Sequence, residues 1–136
     1  MQKVEEGVSF VFCLHAPVSG AIQEYASYFN TDELSVSTQI RDSILALYGV
    51  KEEVPPNYKS RIRLLLHKEI VTTSFWMVDG ETDNAHIQLD FKLVNATSRR
   101  FSFGVELIET GAGLFDNVKA SYLTVVKNSE PVTKKS

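Results

Sequence analysis

The sequence predicts an α+β domain: an N-terminal strand and two helices packed on a four- to five-stranded antiparallel β-meander. Three observations carry this. Residues 86–94 set Ile87, Leu89, Phe91 and Leu93 against His86, Gln88, Asp90 and Lys92, the period-two pattern of a sheet with one dry and one wet face. Residues 101–108 repeat it, with Phe101, Phe103, Val105 and Leu107 against Ser102, Gly104 and Glu106. Residues 19–29 instead place Ile22, Tyr25, Ala26 and Phe29 three and four apart, as one face of a helix requires.

In chain order, residues 7–14 read as a short strand, expected to pair with an edge of the meander. Pro17 ends it, because proline restricts both itself and the residue before it. Ser19 is the expected N-cap of the first helix, whose apolar stripe should lie on the dry face of the sheet. Asn30-Thr31-Asp32-Glu33 is a turn or a fresh cap. A second helix follows over residues 37–48, with Ile40, Ile44, Leu47 and Tyr48 on one face and Gly49 at the C′ position. Residues 50–57 then form a linker in which Pro55 and Pro56 exclude regular structure. Residues 58–68 suit a strand by the alternation of Arg61, Arg63 and His67 with Ile62, Leu64 and Leu66; Leu65 breaks that pattern, and a short helix fits as well.

The meander proper is expected at residues 70–78, 86–94, 101–108 and 118–126. Within it, Phe91 should face Phe103 and Leu89 should face Val105, since both apolar sets must share one face. Turns are marked by Asp79-Gly80 and by the polar run 95–100. The first and last strands carry apolar residues on both parities: Trp76 and Val78 oppose Phe75 and Met77, and Leu123 and Val125 oppose Val118, Tyr122 and Val126. A strand apolar on both faces needs cover on both. Residues 127–136 read as a polar tail after a single domain over 1–126.

The order strand, helices, meander resembles that of the cystatin-like and NTF2-like α+β rolls, with the hotdog fold as the alternative. The resemblance is one of element order; the QxVxG loop of cystatins is absent. What it implies is a sheet curved around a helix, and for the NTF2-like and hotdog cases a pocket for a hydrophobic small molecule.

Composition narrows the function. The net charge of −3 disfavours a polyanion partner such as nucleic acid. No apolar run approaches the ~20 residues of a membrane span, so no membrane partner is expected. Cys13 is the single cysteine, which leaves no disulfide to form and points to a cytoplasmic or other reducing compartment. No zinc spacing, phosphate loop or nucleophile elbow occurs, and no metal or cofactor is expected.

Charge is divided along the chain: residues 1–58 hold three basic against eight acidic side chains, and residues 59–136 hold eleven against nine. An acidic half beside a basic half favours self-association, with Arg61, Arg63, Lys68, Arg99 and Arg100 as the expected binding residues. The expectation is therefore a non-catalytic interaction or assembly protein, a homo-oligomer or a subunit bound to a protein partner. The alternative is a small pocket enzyme or carrier of NTF2-like or acyl-thioesterase type. Its acid–base groups would be His86, Asp90 and Glu106 on the wet face of the meander.

Overall fold

The computed structural model describes residues 2–71, 73–78, 85–92, 102–108 and 113–133. They form an α+β structure with two three-stranded sheets. The first sheet, ordered β1-β2-β6, is mixed. β1 (Phe10–His15) runs parallel to β2 (Ile62–His67), with Phe10 opposite Ile62 and His15 opposite His67. The short β6 (Glu130–Pro131) pairs antiparallel on the other edge of β2. This corrects the expectation that the N-terminal strand joins the meander. A parallel pair needs a long crossover, and the intervening helices supply it.

The crossover passes through α2 (Ile22–Tyr28), α3 (Glu33–Glu53) and a 3-10 helix (Pro56–Arg61). In α2 the expected face is buried at Ile22, Tyr25 and Ala26, while Ser19 acts from outside the helix by accepting from the Ala21 N–H at 3.3 Å. α3 is longer than expected at both ends. Asp32 is the fresh cap: its carboxylate accepts from the Ser35 N–H at 2.8 Å and from the Ser35 hydroxyl at 2.6 Å. Those bonds hold the Asp32 carboxyl below its ordinary pKa. Gly49 does not stop the helix, which runs on until Val54 turns extended before Pro55. Pro56 then opens the 3-10 helix, a position where its missing N–H costs nothing.

One face of the first sheet packs against α3. Val4 of α1 (Gln2–Glu5), Val54, Ile62 and Leu64 are buried together, with Phe10, Phe12, Leu47, Tyr48, Tyr58 and Val132 around them. Val132 also donates its N–H to the Leu64 carbonyl at 2.9 Å. The segment read from sequence as a polar tail thus contributes the end of a helix, a sheet edge and a core side chain.

The second sheet is the antiparallel run β3 (Thr73–Val78), β4 (His86–Lys92) and β5 (Ser102–Ile108). Its register places Phe91 opposite Phe103 and Leu89 opposite Val105, as the alternation required. β3 begins at Thr73; Ile70 and Val71, assigned from sequence to the strand, lie in the preceding connection. The turns at 79–84 and 95–100 fall outside the described residues.

The expected last strand, 118–126, is instead part of α4 (Leu114–Asn128). This helix, not α2 or α3, covers the dry face of the second sheet. Phe115 is buried with Ala85, Ile87 and Leu89, and Val118 and Tyr122 pack beside them. The Tyr122 ring stacks on Phe75 at 4.2 Å. At its far end the same helix reaches the first sheet, where Ser129 meets Cys13. α4 therefore ties the two sheets together.

Candidate functional site

The outer face of the second sheet is where the expected acid–base residues lie. Three rows cross it: Ser74, Asp90 and Gly104; Trp76, Gln88 and Glu106; Val78, His86 and Ile108. His86 and Asp90 are half-buried and Glu106 is exposed. The Gln88 side-chain amide donates to Asp90 Oδ1 at 3.1 Å. Asp90 in turn lies over Gly104, where a Cβ would stand 2.9 Å from its Oδ1 and would displace the carboxylate.

The apolar content of this face was legible as two-sidedness but not as a surface. Trp76 is 62 % exposed, Val78 47 % and Ile108 63 %. Val78 and Ile108 flank His86 on the neighbouring strands, ~5 Å away on each side, and Trp76 is two residues from Val78 on β3. The result is an apolar patch, interrupted by His86 and bordered by Gln88, Asp90 and Glu106. Exposed apolar side chains that include a tryptophan, set among polar ones, are the composition of a protein contact surface. The strands that carry its apolar residues, β3 and β5, are also the edges of the sheet.

The expected basic residues do not form one site. Arg61 is absorbed into the fold: its Nη1 donates to the Val4 carbonyl at 2.5 Å and its guanidinium lies 4.9 Å from the centre of the Tyr58 ring. Lys68 faces Glu130 of β6 at 3.8 Å on the surface. Arg63 lines an open depression of about 220 Å³ with Tyr48, Lys51, Leu64, Leu65 and Val132. That is below the ~300 Å³ of ordinary ligand pockets. Arg99 and Arg100 fall outside the described residues.

A second cluster was not foreseen. β1 ends Leu14-His15 and β2 ends Leu66-His67, and the parallel register sets the two imidazoles edge to face with centres 5.0 Å apart. Both are buried. The shared Leu-His ending of two apolar runs was the signal, and it has meaning only once the strands are known to be parallel. Burial pushes both imidazoles below their ordinary value, and His15 pushes His67 further.

Cys13 lies on the same sheet face, its Sγ 3.1 Å from Ser129 Oγ. The Ser129 hydroxyl donates to the Val125 carbonyl at 2.6 Å, so the thiol is the donor in the first contact. Burial also pushes the Cys13 thiol up, which keeps it protonated and poorly nucleophilic. Among the described residues no three His, Cys, Asp or Glu side chains are grouped to hold a metal ion, and no helix is long and apolar enough to cross a membrane. No family model, no curated protein and no solved structure matches this chain.

Proposed function

We propose that this chain is a non-catalytic interaction protein that self-associates through the outer face of β3, β4 and β5. The observation that carries the reading is the exposure of Trp76, Val78 and Ile108 on one face of a single sheet. Lone exposed apolar residues are ordinary, but a grouped set that includes a tryptophan is the composition of an interface core. The division of the chain into an acidic and a basic half adds complementarity between copies.

The pocket-enzyme reading has less support. His86, Asp90 and Glu106 share one sheet face on which Glu106 is exposed, and the depression beside Arg63 belongs to the first sheet. The cystatin-like, NTF2-like and hotdog readings rest on element order alone, and they lose support from β1 lying in the other sheet and from α4 standing where the last strand was expected.

Sedimentation velocity at micromolar concentrations tests the proposal. The wild-type mass should rise with concentration toward that of a dimer. A Trp76→Glu, Ile108→Lys variant with an unchanged circular dichroism spectrum should stay a monomer. Loss of a tryptophan anchor weakens association by about 2 kcal/mol or more, or roughly 30-fold in Kd. A wild-type protein that is monomeric throughout, or a variant that still dimerises, refutes it.

A further inference from the structure

The His15–His67 pair sits where the first sheet hands the chain to the second. His67 is the last residue of β2, and β3 starts at Thr73. The segment between them is held from two sides. His67 Nδ1 donates to the Glu69 carbonyl at 3.0 Å. From α2, the Tyr25 hydroxyl donates to the Val71 carbonyl at 3.0 Å and accepts from the Val71 N–H. The Tyr25 ring itself rests edge-on against His15, with centres 4.7 Å apart.

The hydrogen bonds fix the proton positions. His15 Nδ1 lies 2.7 Å from the Ala16 carbonyl, and a carbonyl only accepts, so the proton of the neutral ring is on Nδ1. Its Nε2 is then a bare lone pair, buried and without a hydrogen-bond partner among the described residues. A second proton would create a buried N–H with no acceptor, on a ring 5.0 Å from another imidazole.

We propose that His15 is a proton-operated latch between the two sheets: its neutral ring supports Tyr25, which holds residues 69–71 closed, and a second proton on His15 displaces Tyr25 and releases that segment.

The surrounding charges leave this direction intact. Tyr25 of α2 and Cys13 of β1 are neutral near pH 7, and burial pushes both further toward their protonated forms. Desolvation by burial outweighs what opposes the effect: the Ala16 and Glu69 carbonyls, which accept from the two rings, and the Glu69 carboxylate, with Oε2 3.9 Å from His67 Nδ1. That carboxylate also accepts from the Lys68 N–H at 3.1 Å and from Asn128 of α4, and its side chain is well exposed, which screens its pull on the ring. Lys68 and Glu130 pair further out on the surface. Both imidazoles therefore stay below 6.5 in the folded protein.

The closed state of residues 69–71 then binds fewer protons than the released state. The stabilisation is present above pH 6.5 and is lost as pH falls from there through the depressed folded values. The latch does not depend on what the outer face of the second sheet binds.

Hydrogen exchange of the full-length protein, corrected for the intrinsic pH dependence of exchange, reads the latch directly. The Val71 amide, bonded to Tyr25, should lose roughly tenfold or more of its protection between about pH 7 and pH 5. The Ile87 amide, inside the second sheet, should keep its protection. In H15Q/H67Q the loss at Val71 should vanish, and H86Q, which removes the third histidine of the chain, should behave as wild type. Unchanged Val71 protection, an equal loss at Ile87, or a double variant that retains the loss would each overturn the proposal. Should the double variant fail to fold, the wild-type imidazole resonances decide. Titration of His15 and His67 below 6.5 with the Val71 amide shift following supports the latch, and titration at or above 6.5 overturns it.

Discussion

Ile87→Ala is expected to lower the free energy of unfolding by about 2–5 kcal/mol, the range for removing a large aliphatic side chain from a core. Ile87 is 0 % exposed, on the central strand, between Met77 on one side and Leu107 on the other and beneath α4. Neighbours on three sides limit how far the site can collapse, which places it toward the upper part of that range. Ile87→Val should cost only about 0.5–1.5 kcal/mol. Val105, on the same sheet but exposed, serves as the contrast: its truncation should cost within about 1 kcal/mol. Urea unfolding followed by far-ultraviolet circular dichroism measures all three. Equal losses at 87 and 105 would mean that α4 covers the β5 edge of this face as fully as its centre.

Phe115→Ala is expected to be comparably severe, about 3–5 kcal/mol. Phe115 is 5 % exposed at the first turn of α4, and with Val118 and Tyr122 it is what docks the helix on the sheet. The helix starts just after Gly113, whose φ of +82° suits glycine and few other residues. Leu114, one position earlier, points outward and is exposed, so Leu114→Ala should change stability by no more than about 0.5 kcal/mol. The pair of variants separates docking of the helix from its intrinsic propensity. The same urea unfolding measurement reads both variants. A Phe115→Ala protein as stable as wild type would mean that α4 does not lie on this sheet.

The same sequence feature meant different things in two places. Residues 70–78 and 118–126 both carry apolar side chains on both parities. In β3 the two-sidedness is real: Phe75 and Met77 face the core, and Trp76 and Val78 face outward. In α4 it is a helical stripe in disguise. Phe115, Val118 and Tyr122 recur at three and four, and a strand reading scatters them over both faces. Val118, Thr124, Val125 and Val126 added strand propensity, which packing against a sheet overrode.

The β4–β5 hairpin was legible because a clean alternation on both strands, with one dry face, leaves a single register. The apolar stripes of α2 and α3 were legible for the matching reason at helical spacing. The β1–β2 pairing was not, because it joins residues about fifty positions apart and parallel partners leave no local turn to mark them. The histidine pair was hidden with it. Of the expected site residues, His86, Asp90 and Glu106 do share one face, as period two required, while Arg61 was spent on holding Val4 and Tyr58.

The most direct measurement uses the single tryptophan of the chain, because Trp76 is both the reporter and the centre of the proposed contact. Acrylamide quenching of its fluorescence should be strong in dilute solution and should fall as the concentration rises through the range in which the mass doubles. A doubling of mass with quenching unchanged would place the contact elsewhere on the protein and contradict self-association through this face.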